Sequence, residues 1–455
     1  MRSPFLLGCG RVFVRFAAVA IALCVAPAGS IFAQQNGDTA SKRRPNVVLI
    51  VADDFGHECV RANGGTSYQT PRLDRLSAEG VRFERCYAQP LCTPTRVQLL
   101  TGAYNVRNYT RFGEIDPALP TIAQLFARAG YATAAAGKWQ LGRDKELPRK
   151  LGFGESCLWQ HTRRPPRYAN PGLEYNGEPR DFDKGEYGPD LVSDFALDFI
   201  ARHKDRPFFL YYPMLLTHGP FQPTPESKNW DPTTRGEQAK NNRRNFADMV
   251  AYMDKLVGKL VDRLDALGLG ENTLVVFVGD NGTGRGIASQ FRGAEYRGGK
   301  GTPTAAGTHV PLIVRWPGVA KAGVVCGDLI DTTDFLPTLC AAAAIDVPKD
   351  MPVDGRSFLS QLRGERGTPR EWVYCWYSQG GGAKAQHEFA AGKRYKLYRD
   401  GKVFDTVADA AETTPVDVEN LPVEGRYAVK QLEAALHKYA NARPERFRTP
   451  ARAAR

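Results

Sequence analysis

Three features predict an α/β fold: a large mixed, mostly parallel sheet flanked by helices, plus a smaller C-terminal domain of antiparallel sheet and helix. The first is the run Asn46-Val47-Val48-Leu49-Ile50-Val51, the apolar stretch expected of a strand buried on both faces. The second is the alternation of such runs with helical patterns as far as residue 345. The third is a composition shift over Asp346 to Gly355, after which short strands and one helix follow without that alternation. A chain of 455 residues is long enough for one large domain and a companion.

In chain order, residues 1–33 hold Arg2, Arg11 and Arg15, then the apolar run Phe16 to Val25, then small residues to Ala33. This predicts a cleavable signal peptide and an exported protein, periplasmic or secreted. The run is too short to span a bilayer, and no later segment approaches a membrane span. A catalytic domain is expected over 34–345. Its strands are predicted at Asn46 to Val51, Tyr131 to Ala136, Phe208 to Tyr212, Leu274 to Val278 and Leu312 to Val314. Helices are predicted at Thr121 to Ala129, Leu191 to Arg202 and Phe246 to Leu267. Ligands in such folds sit beyond the carboxyl ends of the strands. The small domain, 346–440, has expected strands at Trp372 to Tyr377 and Arg394 to Arg399 and a helix at Val429 to Tyr439. The tail, 441–455, is rich in Arg, Pro and Ala and is expected to be disordered.

The precursor carries a net charge of +12, and losing the three arginines of residues 1–33, which contain no acid, leaves +9. A basic exported protein suits an acidic substrate. No zinc spacing, recognition helix or basic-aromatic RNA motif is present, so nucleic acid is not an expected partner. Of nine cysteines, Cys9 and Cys24 fall in the signal. Apart from Cys92, the other six (Cys59, Cys86, Cys157, Cys326, Cys340 and Cys375) permit disulfides in an oxidising compartment without fixing their pairing.

The chemistry concentrates at Cys92-Thr93-Pro94-Thr95-Arg96. A proline in the first turn of a helix puts free backbone N–H groups near the cysteine, and Arg96, one turn on, can grip an oxyanion with two parallel hydrogen bonds. Asp53-Asp54 and Asp280-Asn281 each end a predicted strand, and four hard oxygen donors suit Ca²⁺ or Mg²⁺. Lys138, His218 and Lys300 also follow strand ends or lie in a glycine-rich loop. The loop around Lys300 fails the Walker pattern because Gly301 follows the lysine.

Asp53-Asp54-Phe55-Gly56, the Cys92 pentapeptide, Gly137-Lys138-Trp139, Thr217-His218, Asp280-Asn281-Gly282 and Gly299-Lys300-Gly301-Thr302 occur in one order along the chain. Taken together they resemble the formylglycine-dependent sulfatases of the alkaline-phosphatase-like superfamily. The resemblance implies hydrolysis of a sulfate ester, on a sulfated carbohydrate, by a formylglycine made from Cys92 with the help of a sulfatase-maturing enzyme. It implies that Asp53, Asp54, Asp280 and Asn281 hold Ca²⁺ (Mg²⁺ as the alternative) together with residue 92. Arg96 and Lys138 would stabilise the aldehyde hydrate. Lys300 and His218 would bind the sulfate, and His218 would also protonate the leaving alcohol.

Three positions depart from the family pattern: Ala305 stands where many members have glutamate, Thr95 replaces the commoner serine, and, most consequentially, Gln140 stands where the motif has a histidine, and an amide cannot take a proton. Asp280, His161, His309 or His387 are the replacements considered for that base. The segment Cys157 to Tyr168, which mixes aromatics with arginines, is expected at the substrate rim, with Gln140, His161 and Arg163 in contact with substrate. Two other readings fit the same motifs: a phosphodiester or phosphonate monoester hydrolase, and a catalytically impaired glycan-binding protein.

Overall fold

The structure, a computed structural model, describes residues 44–236 and 241–449. The expected signal peptide, residues 1–33, lies outside these.

Eighteen strands are formed among the described residues. In chain order β1 to β6 are Asn46–Ala52, Val81–Tyr87, Tyr109–Arg111, Glu114–Ile115, Ala132–Lys138 and Glu155–Trp159. Strands β7 to β12 are Gly172–Tyr175, Glu178–Asp181, Phe208–Pro213, Thr273–Gly279, Ala288–Phe291 and Ala294–Arg297. Strands β13 to β18 are His309–Arg315, Val324–Asp331, Val373–Tyr377, His387–Ala391, Tyr395–Tyr398 and Val403–Asp405.

Ten strands make the main sheet, in the order β14-β2-β13-β10-β1-β9-β5-β6-β7-β8. Its centre, β10-β1-β9-β5-β6, is parallel throughout, while β13 and the β7-β8 hairpin run antiparallel. The mixed, mostly parallel sheet is therefore as expected. β1, β5, β9 and β10 are buried at every position, which explains why their sequences lack polar alternation. One face packs on the helices Cys92–Thr101, Ile122–Arg128 and Phe335–Ala342. The other packs on Gly188–Arg202 and Phe246–Ala266, the latter with an apolar stripe from Met249 to Leu264.

A separate antiparallel sheet, β15-β16-β17-β18, is covered by the helix Val423–Tyr439. That helix starts before the expected Val429, after Pro422. A buried ion pair ties the small sheet to the main one: Arg370 binds both carboxylate oxygens of Asp334 and donates to Tyr104 Oη at 2.7 Å. The expectation of a disordered tail is corrected for residues 441–449. Arg443 is buried there, stacked 4.2 Å over Trp376, and donates to the carbonyls of Tyr109 and Phe447. Satisfying five guanidinium donors inside the protein orders this segment despite its composition. All seven cysteines of the described residues are free.

Candidate active site

Because β1, β5, β9 and β10 are parallel neighbours, their carboxyl ends share one edge of the sheet, and short backbone bonds lock them together. Asp280 N donates to Ala52 O at 3.0 Å, Asp53 N to Leu216 O at 2.9 Å, and Thr217 N to Asp53 O at 2.8 Å. This brings Asp53, Asp54, Lys138, His218, Asp280 and Asn281 into one cluster from four strand ends. Gly137 is required for it: a Cβ there would lie 1.8 Å from Pro213 O, and its φ is 128°.

Cys92 is the first residue of the buried helix Cys92–Thr101, with its Sγ facing the cluster. Thr95 holds the turn before it by accepting from Gln89 N at 3.0 Å and donating to Leu91 O at 3.1 Å. The thiol donates to Gln140 Oε1 at 2.9 Å, so position 140 faces residue 92 directly. Burial raises the Cys92 thiol above its usual range, with Lys138 and Lys300 opposing. Ligand atoms of Cys92, Asp53 and Asp280 lie within 4.8 Å of one another, as do those of Asp53, Asp54 and His218.

Four cations surround three carboxylates. Arg96, fully buried, donates to Asp280 Oδ2 at 2.9 and 3.3 Å and to Lys138 O at 2.6 Å. Lys138 donates to Asp53 Oδ1 at 2.8 Å, and Lys300 to Asp54 Oδ2 at 2.6 Å. Arg167 lies 3.6 Å from Asp53 Oδ2, with its guanidinium 3.8 Å over the Trp159 ring. Burial pushes the Asp53 carboxyl up, but Lys138, His218, Arg96 and Arg167 outweigh it and hold it far below the carboxylate range. Asp280 goes the other way, to about 7, because burial and the Asp53 charge exceed the pull of Arg96.

Asn281 Oδ1 is buried without a hydrogen-bond partner, Asp53 Oδ2 meets only the cations Lys138 and Arg167, at 2.8 and 3.6 Å, and Asn281 Nδ2 donates to Asp54 Oδ1 at 2.9 Å. An unpartnered amide oxygen beside three buried carboxylates fits a hard divalent cation, which would be held by Asp53, Asp54, Asp280 and Asn281.

His218 has Nδ1 against Gly219 O and Nε2 3.7 Å from Asp54 Oδ2, while its own carbonyl accepts from Tyr168 Oη. Burial, with Lys138 and Arg167, lowers it to about 3 against the pull of Asp54 and Asp53. Both ring nitrogens face oxygens, so a bound anion that offsets Lys138 and Arg167 favours a proton on Nε2.

A cavity of about 630 Å³ opens beside this cluster, lined by Gln140, His161, Arg163 and His218 and by Arg111, Glu114, Arg143 and Arg164. His161 is in its wall, but its ring is engaged: Nε2 is 2.8 Å from Asp144 O and Nδ1 3.4 Å from Glu174. His309 instead stacks between His57 and Tyr87, and His387 on Tyr377, with neither lining the cavity. Among the four groups considered as replacement base, Asp280 is the one beside Cys92. Arg167 and Tyr168 were not singled out as site residues by sequence reasoning. Their signal was present in the aromatic and basic segment Cys157 to Tyr168.

Comparison with known proteins agrees with this geometry. Residues 45–345 match the family Sulfatase, and 305–442 match the N-sulphoglucosamine sulphohydrolase C-terminal family. The chain is 32% identical over 373 residues to the N-acetylgalactosamine-6-sulfatase of Canis lupus familiaris, covering 74% of this chain and 70% of that protein. It is 32% identical over 428 residues to Homo sapiens arylsulfatase A, covering 82% and 78%. The crystal structure of Ps i-CgsB in complex with k-i-k-neocarrahexaose superposes with a TM-score of 0.74 at 25% identity, covering 89% of this chain and 94% of that one. The chain belongs to the sulfatase family. It is a sulfuric ester hydrolase.

Proposed function

We propose that this protein hydrolyses a sulfate ester on a sulfated carbohydrate, with residue 92 acting as formylglycine and a Ca²⁺ (or Mg²⁺) held by Asp53, Asp54, Asp280 and Asn281. The observation that carries the reading is Cys92 at a buried helix start, facing three carboxylates and the cations Arg96, Lys138 and Lys300. When present, the aldehyde hydrate supplies the nucleophilic oxygen, and the metal supplies charge stabilisation.

The remaining work falls to the chain's own side chains. Arg96 and Lys138 fix the charges of Asp280 and Asp53 and keep positive potential beside residue 92. Lys300, on a loop tied to the nucleophile helix through Gly301 N and Pro90 O at 2.8 Å, is placed to take a sulfate oxygen. His218, protonated on Nε2, is the donor for the leaving alcohol. Gln140 orients residue 92 by hydrogen bonding, and Asp280 is the proton acceptor we assign in place of the absent histidine. His161 supports the rim, and Arg163 faces the substrate. Export through the segment 1–33 and activation by a sulfatase-maturing enzyme belong to the same reading.

Peptide mass at residue 92, on protein from its native host, tests the reading, combined with turnover of sulfate and phosphate esters in one assay. An aldehyde with preferred sulfate turnover supports it. A persistent thiol with retention of sulfated glycan favours the binding-protein alternative, and preferred phosphate-ester turnover favours the phosphodiesterase or phosphonate hydrolase.

A further inference from the structure

The cavity wall carries more positive charge than one sulfate ester requires. Its acid, Glu114, is already paired with Arg111. Arg143 and Arg164 are exposed on the same wall and make no ion pair among the described residues. Arg163 ties Nη1 to Asp181 at 2.9 Å, while its Nε and Nη2 have no partner. These groups stand apart from Lys138 and Lys300, which are engaged by Asp53 and Asp54 next to the nucleophile.

The loop that presents two of these arginines is braced from below. Glu174, buried, accepts from Thr162 N and from Thr162 Oγ1, each at 3.0 Å, and faces His161 Nδ1. Gln160 has a φ of 57°, so the chain turns sharply as it leaves β6. Arg164 without counter-charge and Arg163 with donors to spare on a braced loop, and Arg143 on the same cavity wall, at the mouth of an anion-cleaving site, make a preorganised anion receptor.

We infer that Arg143 and Arg164, assisted by Arg163, form a second subsite that binds a further anionic group, a sulfate or a carboxylate, on the sugar next to the one that loses its sulfate. The inference rests on the sulfatase reading and deepens it. The preferred substrate carries at least two negative charges on adjacent residues, and one of them survives the reaction. Arginine suits this task because its planar fork matches both oxyanions and stays charged at all working pH values.

The test uses protein whose residue 92 is the aldehyde, with 4-nitrophenyl sulfate as the chromogenic substrate. Three disaccharides serve as competitors: one with a sulfate on each sugar, one with a sulfate and a uronate, and one with a single sulfate and a neutral neighbour. The doubly charged competitors are expected to inhibit about tenfold more tightly than the singly charged one. In Arg143→Ser/Arg164→Ser that ratio should fall to near one. Tighter binding of the disulfated competitor alone assigns the subsite to sulfate, and of the uronate competitor alone to carboxylate. Equal inhibition by all three, or a ratio that persists in the double variant, overturns the subsite. No hydrolysis of 4-nitrophenyl sulfate or of any sulfated disaccharide by the aldehyde form overturns the sulfatase reading instead.

Discussion

Restoring a histidine at position 140 is the most direct probe of how this chain differs from the family motif. Gln140 Oε1 is 2.9 Å from Cys92 Sγ, and the residue lines the cavity at 9% exposure, so an imidazole there would stand against residue 92. The backbone has φ 53°, a region histidine tolerates better than most side chains. The bond from Gln140 N to Gln160 O at 3.2 Å does not involve the side chain and is kept. The stability cost is then one side-chain hydrogen bond, about 1 kcal/mol, or a melting shift of about 2 °C. A positioned general base contributes roughly 10²- to 10⁴-fold. With Asp280 as the proposed proton acceptor, Gln140→His should raise kcat by about 10- to 100-fold and abolish any burst, while the pH–rate profile gains a limb near the imidazole pKa. Stopped-flow release of 4-nitrophenol, corrected for the aldehyde content of residue 92, measures this. Wild-type kcat and burst amplitude in a folded, equally modified variant would refute the idea that Gln140 leaves the wild-type enzyme with a weaker base than the family motif supplies.

Other perturbations have defined outcomes. Lys300→Ala should lower kcat/KM by about 10²- to 10³-fold with little change in melting temperature, because the side chain is one-fifth exposed on a loop yet aimed at Asp54; a loss below threefold would remove Lys300 from sulfate binding. A chelator should lower the melting temperature and Ca²⁺ restore it, since about 2.7 kcal/mol accrues at a hundredfold excess over Kd; identical melting curves would count against a metal at Asp53 and Asn281. Arg370→Met leaves Asp334 buried without its partner and should destabilise the fold by about 3–5 kcal/mol in denaturant titration. His57 and His309 stack 4.0 Å apart, and burial holds both below their ordinary range, His309 at about 4. The unfolded chain therefore binds more protons between about pH 4 and 6.5. Stability from His309 is complete above pH 6.5 and lost as pH falls toward 4, by roughly 3 kcal/mol, and His309→Phe should flatten that part of the melting-temperature profile.

The strands at the centre of the sheet were legible because burial on both faces leaves an uninterrupted apolar run, as in Asn46 to Val51 and Leu274 to Val278. Those away from the centre were not. In β2, Val81-Arg82-Phe83-Glu84-Arg85-Cys86-Tyr87, the charged residues at 82, 84 and 85 are only half-buried and obscure the pattern. The hairpin β7-β8 turns at Asn176-Gly177, both with positive φ, a signal that was in the sequence but sits beside a strand, Glu178–Asp181, exposed at every position. Arg443 reads as a disordered tail because its partners, the carbonyls of Tyr109 and Gly382, are far away in sequence.

The site divides along the same line. The turn that carries Cys92, the proposed nucleophile, is local, so five consecutive residues announce it. The counter-charges are assembled by sheet order, which no single segment records. Arg167 follows β6, which two strands separate from β1 in the sheet, and reaches Asp53 only because those strands, β9 and β5, lie between them in parallel register. The same arrangement explains the charge balance: Arg96, Lys138, Arg167 and Lys300 against Asp53, Asp54 and Asp280 leave one net positive charge before any metal binds. A divalent cation raises that to three, in a pocket sealed from water at Arg96 and Lys138. Such a site holds a sulfate monoester's single charge with positive charge to spare for the leaving oxygen, which is where the transition state of S–O cleavage accumulates it.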